Sequence, residues 1–190
     1  MTRGDARRVV TRAGAALLLV GLLSSCTAKV DVTPVPTEAS GPYACDGVPQ
    51  KGPELILGGQ APVVRPPTPG TRTTDPLWRC TFDDGTRRLV VKDELLTASA
   101  DFGRDEEAAI RVMQSARSGQ PIEAPFPGQG YSTSGAAMWV CNGRVVLVDL
   151  ISEPIPERDA RQDVTNLLLS QLPFVCEGVE MPEADGPSAS

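Results

Sequence analysis

Four cysteines constrain this chain more than any other feature. Cys45, Cys80, Cys141 and Cys176 stand 35, 61 and 35 residues apart in a chain of 190 residues that has no histidine. In an exported protein an even set of cysteines closes disulfides. Zinc is the rival use, but it wants close ligand pairs such as Cys-x-x-Cys, commonly completed by His. Two disulfides are therefore expected, with three pairings open. Cys45–Cys80 with Cys141–Cys176 is preferred because each bridge closes a 35-residue loop, worth roughly 4 kcal/mol apiece by chain entropy.

That argument needs export, and the first residues supply it. Arg3 to Arg12 holds four arginines against Asp5, an apolar run follows from Ala13 to Leu23, and Leu23-Ser24-Ser25-Cys26 comes next. The run is too short to span a bilayer, which takes about 20 residues. It has the length of a signal-peptide core. Leu, two small residues and Cys form a lipobox, so residues 1–25 read as a lipoprotein signal peptide and Cys26 as the lipidation site. Stable anchoring takes more than one acyl chain, so Cys26 is expected to carry palmitate-type chains in addition to its diacylglycerol. Arg7-Arg8 fits the twin-arginine export motif poorly. Residues 26–42, rich in Pro, Thr, Ser and acids, have little to bury and read as an extended tether.

Residues 43–179 are the length of one domain, and residues 180–190, with Pro, Glu, Asp, Ser and Gly, read as a disordered tail. Loss of the signal removes four of the 18 basic residues and one of the 24 acids. That leaves 14 against 23, a net charge of about −9. Nucleic-acid binding wants a basic face and is rejected. Arg outnumbers Lys by 15 to 3, a skew that fits a high-GC genome.

Two hairpins stand out. Leu77 to Phe82 and Arg87 to Lys92 flank Asp83-Asp84-Gly85-Thr86. A two-residue Asp84-Gly85 turn would put Trp78, Cys80 and Phe82 on one face with Leu89 and Val91. Ala137 to Cys141 and Arg144 to Ile151 flank Asn142-Gly143, the strongest type I′ signal. Here Cys141 should oppose Arg144 and Trp139 should oppose Val146. Both faces of this second hairpin are apolar, so it belongs at the centre of a sheet, covered on both sides. Helical spacing follows each hairpin. It runs over Arg104 to Ser118 (Ala109, Ile110, Val112, Met113) and over Glu157 to Leu172 (Ala160, Val164, Leu167, Leu168). Pro156 suits the start of the second helix and Pro173 its end. Gly52 to Leu57 adds a helical turn, while Gly58 to Asp75 and Gln120 to Ser134 read as long Pro/Gly loops. The fold class is α+β: an antiparallel sheet built from two hairpins, each followed by a helix, with two disulfides.

Chemistry is sparse. Without His there is no His-based triad and no usual general base near neutrality. Gly130 to Gly135 has one residue too many for a nucleophile elbow and does not follow a strand. Asp83-Asp84 and Asp105-Glu106-Glu107 are better read as a turn and a helix start than as calcium ligands. Trp78 and Trp139 read as core. No catalytic, metal or cofactor residues are assigned.

Cys26, the Thr/Pro/Ser tether, the opening Cys45-Asp46-Gly47-Val48-Pro49 through Leu55-Ile56-Leu57-Gly58, and Trp78-Arg79-Cys80 together resemble a group of actinobacterial cell-envelope lipoproteins of unknown function. The resemblance runs from Cys26 to about Val91. It implies a disulfide-containing α+β domain on the outer face of the cell membrane, with no established activity. The expected function is a non-catalytic binding or interaction module, held to the membrane through Cys26 and recognising an envelope protein or a small ligand. The alternative is a cell-envelope hydrolase using carboxylates on the long loops, since glycoside cleavage needs only two.

Overall fold

A computed structural model of the chain describes residues 29–65, 72, 74–115 and 119–185. The signal peptide, Cys26, the 116–118 end of the first expected helix and residues 186–190 of the tail lie outside the described residues. In chain order the strands are β1 (Tyr43–Cys45), β2 (Val48–Pro49), β3 (Val63–Arg65), β4 (Leu77–Asp83), β5 (Arg88–Leu95), β6 (Gln120–Ile122), β7 (Gln129–Ser132), β8 (Ala136–Cys141) and β9 (Arg144–Leu150). The helices are α1 (Lys51–Leu57), α2 (Glu106–Ser115), α3 (Ala160–Leu169) and α4 (Leu172–Cys176). β1 and β2 pair alone, and the other seven strands form one sheet in the order β3-β4-β5-β9-β8-β7-β6, antiparallel throughout. The fold is mixed α+β with two disulfides.

β9, apolar on both faces, sits at the middle of the seven. Asn142 at φ 51 and Gly143 at φ 70 make a two-residue turn, and Cys141 faces Arg144, Trp139 faces Val146 and Met138 faces Leu147. On one face Trp139, Val146 and Val148 join Cys80, Phe82, Leu89 and Val91, covered by Val164, Leu167 and Leu168 of α3 and by Leu55 and Ile56 of α1. On the other face Val140 and Val145 pack with Ala109 and Met113 of α2, together with Leu96 and Phe102. α3 and α2 thus cover opposite faces of the sheet.

The first hairpin turns differently from the two-residue expectation. Asp83 faces Arg88, leaving the four-residue loop Asp84–Arg87. Side-chain acceptors explain it: Asp83 Oδ1 receives the Gly85 N–H, and Asp84 Oδ1 receives the N–H groups of Thr86 and Arg87. Such Asx bonds build a wider turn. A two-residue change of register keeps side-chain parity, so Trp78, Cys80 and Phe82 still share a face with Leu89 and Val91.

Five other stretches depart from the sequence reading. Gln120 to Ser134 is not all loop, because β6 and β7 extend the sheet through it. Gly130 lies against the Trp139 ring, where an added Cβ would come within 2.3 Å of Cε3, so this glycine lets the strand pass beneath an indole. Gly58 to Asp75 likewise contributes β3. The expected Glu157–Leu172 helix starts only at Ala160, where Asp159 accepts the Gln162 N–H, and ends at Leu169. Pro173 then sits in the first turn of α4, where a missing N–H costs nothing. Within the stretch read as tether, Val35 is buried in the core, and Arg158 donates to the carbonyls of Asp31 and Thr33. Within the tail, residues 182–185 lie along β1: Gly47 donates to Pro182 O and Asp185 to Tyr43 O, both at 2.9 Å. These contacts satisfy a strand edge that would otherwise be open.

The disulfides join Cys45 of β1 to Cys80 of β4 and Cys141 of β8 to Cys176 of α4. Their Cα separations of 6.5 and 5.7 Å fall within the range such bridges span.

Candidate functional site

Along β5, Leu89 and Val91 point into the main core, and the next residue of that parity is Asp93. It is a carboxylate at a core position, only 1% exposed. Across the ladder it faces Trp78 on one side and Val146 on the other. An ion here must be paired. Two guanidinium groups do so: Arg72 Nε donates to Asp93 Oδ2 at 3.1 Å, and Arg144 Nε donates to Oδ1 at 2.7 Å. Arg144 comes from the start of β9, opposite Cys141, and its Nη2 also donates to the carbonyls of Arg72 and Asp75.

Arg72 is fully buried. Its guanidinium lies over the Trp78 ring, 4.5 Å from the centroid, a cation–π geometry. Nη1 donates to Gln171 Oε1 at 2.7 Å and to Asp46 O at 3.2 Å. Burial pushes the Arg72 guanidinium below its ordinary value; Asp93 opposes this and Arg144 adds to it. One donor is left over. Arg72 Nη2 is buried without a hydrogen-bond partner among the described residues, and so is the indole Nε1 of Trp78 beneath it. Buried donors of this kind are uncommon and call for an explanation.

Arg72 lines a cavity of about 330 Å³ whose other walls are Asp46, Phe174, Gly178, Val179, Glu180, Met181 and Glu183. The C-terminal segment that follows α4 roofs it. Gly178 at φ 69 turns this segment back from the helix, and Val179 N–H donates to Pro173 O at 3.1 Å. One wall is apolar (Phe174, Val179, Met181), and the exposed rim is acidic. A second groove of about 270 Å³ runs between β6 and α3, where Arg161 Nη1 and Thr165 Oγ1 lack partners among the described residues. Both residues are half-buried overall, although these two atoms are themselves out of reach of solvent.

The residues singled out from sequence fall mostly elsewhere. Trp139 is 2% exposed and donates from Nε1 to Pro127 O. Asp105 Oδ1 accepts from Ala108 N–H at the start of α2, and Glu106 Oε1 accepts from Gly143 N–H. Ser132 is buried within β7, paired to Ala137. Among the described residues no group of three or more Asp, Glu, Cys or His could hold a metal ion, and no helix is long and apolar enough to cross a membrane. Sequence reading missed Asp93, Arg144 and Arg72. Strand parity marks the first two, whereas Arg72 sits in a Pro/Gly-rich stretch without any periodic signal.

No protein-family model, curated protein or solved structure matches this chain.

Proposed function

We propose that this chain is a lipid-anchored, extracytoplasmic binding module without catalytic activity, displayed on the outer face of the cell membrane. Residues 1–25 direct export, Cys26 carries the lipid, and the two Trp-x-Cys hairpins with their following helices form the frame that presents the site. The two disulfides support the location, because such bridges persist in oxidising compartments. One observation carries the binding reading. A fully buried arginine, fixed on three sides by Asp93, Gln171 and Trp78, keeps an unmet donor while lining a cavity. A pocket with a few convergent polar groups over an apolar wall is the usual form of a small-ligand site.

Two measurements test this. Metabolic labelling with a fatty-acid analogue should mark the wild-type protein and leave Cys26→Ala unlabelled; equal label in both would remove the anchor from the proposal. A fragment screen on the full chain in detergent, read by the indole N–H resonance of Trp78, should find compounds that move it. A silent screen would remove the binding site.

A further inference from the structure

The charges around the cavity are ordered by depth. At the inner end two guanidinium groups, Arg72 and Arg144, share the single carboxylate of Asp93, both held by hydrogen bonds of 2.7 to 3.1 Å. Asp46, acting on Arg72 more weakly, offsets only part of the remaining positive charge there. At the rim stand three carboxylates, Asp46, Glu180 and Glu183, the last two exposed. Between rim and floor lie Phe174, Val179 and Met181. A water molecule could meet one spare N–H of Arg72, yet it would do nothing for the part of the buried charge that Asp93 and Asp46 leave unbalanced, and buried charge is expensive. A simple anion would compensate the charge, but it would have to pass the acidic rim. A ligand negative at its inner end, positive at its outer end and apolar between fits all three zones.

We infer that this cavity binds a small zwitterion, its carboxylate accepting from Arg72 Nη2 and its cationic group lying among Asp46, Glu180 and Glu183. The inference deepens the binding reading above and rests on it. Carboxylate recognition by guanidinium is charge-assisted and strong. The volume suits a molecule of fragment size. Trp78, stacked on the same guanidinium and holding its own unmet indole N–H, reports occupancy.

The test is a matched series on the full chain in detergent, by calorimetry and by the Trp78 indole resonance. Glycine, 4-aminobutyrate and 6-aminohexanoate vary the spacing of the two charges, while hexanoate and hexylamine each keep one charge. One of the zwitterions should bind at least about tenfold tighter than hexanoate or hexylamine, a difference of roughly 1.4 kcal/mol, and should move the Trp78 signal. The double substitution Glu180→Gln with Glu183→Gln alters only exposed side chains. It should bring the zwitterion down to the affinity of hexanoate. Arg72→Met should abolish binding of the carboxylate compounds; if that variant does not fold, the rim variant decides. Hexanoate binding as tightly as every zwitterion, or hexylamine binding best, would overturn the inference. So would a Trp78 signal unmoved by the whole series at millimolar concentration. If the series is silent while other fragments move Trp78, the zwitterion is wrong and the binding reading stands. Silence in both removes both.

Discussion

Asp149 and the aspartates of the first turn sit in the same sheet under opposite pressures. Asp83 is held below the ordinary carboxylate range by its bond from Arg88 and by the Gly85 N–H. Burial raises Asp84, but bonds from Arg87 and Thr86 outweigh it and the net direction is down. Asp149 has no such support. It lies on β9 between Val90 and Ala136, and burial alone pushes its carboxyl up. Arg88 and Lys92 flank Val90 on the same face of β5, yet they are engaged by Asp83 and by Glu94 and Asp101. A carboxyl that binds its proton more tightly when folded favours the folded state below the unfolded value, about pH 3.9, and that contribution is lost as pH rises through the higher folded value. Asp149→Asn carries no such loss. The variant should therefore melt higher than wild type near pH 7, with the gap closing below about pH 4. Comparing the two proteins cancels the opposite slopes of Asp83 and Asp84. A gap that stays constant with pH, or a wild type that melts higher at pH 7, would contradict this assignment.

At the scale of elements the β8–β9 hairpin shows what a turn can dictate. A type I′ turn needs positive φ at both central residues. Asn142 and Gly143 supply it, and Gly143 N–H also ties the turn to Glu106 on α2. A Cβ at Gly143 would meet nothing within 4 Å, so the demand there is conformational and not steric. Gly143→Val forces a β-branched residue to φ 70 and should lower unfolding stability in urea by more than about 1 kcal/mol. An unchanged midpoint would mean the turn is misassigned. The same logic explains which elements can be read from sequence. Asn-Gly admits one tight turn, so the pairing of Cys141 with Arg144 follows from residues in the turn itself. Asp83-Asp84-Gly85 offers two side-chain acceptors and a longer loop, which local signals cannot separate from a two-residue turn. β6 and β7 hide in a Pro/Gly composition because Gly130 is chosen by the Trp139 ring above it, a contact no local window contains. The site divides likewise. Asp93 breaks the alternation of Leu89 and Val91 and is legible as a buried acid, whereas Arg72 acquires its meaning from Gln171, 99 residues away.

At the scale of the molecule, β5 and β9 join the two halves of the chain along seven paired positions, from Leu89 with Leu150 to Leu95 with Arg144. Neither disulfide crosses that seam. Cys45–Cys80 ties the small β1–β2 sheet to β4, all within the first half, and Cys141–Cys176 ties α4 to the end of β8, all within the second. Each bridge thus ties a short element to the sheet, while the seam relies on backbone hydrogen bonds and the shared core. A bridge that closes a 35-residue loop restrains the unfolded chain by roughly 4 kcal/mol, enough to keep such an element docked. The arrangement predicts how the chain comes apart. A single proteolytic cut between Ser118 and Tyr131 leaves the halves together while the sheet is folded. Once the cut protein is denatured without reductant, nothing covalent spans the cut, and two fragments should separate on a non-reducing gel. Each should carry one intact disulfide by mass. In either of the other pairings a bridge links the halves, and the fragments would part only after reduction. Release that depends on reductant would therefore refute this disulfide map and, with it, the separate fastening of the two halves.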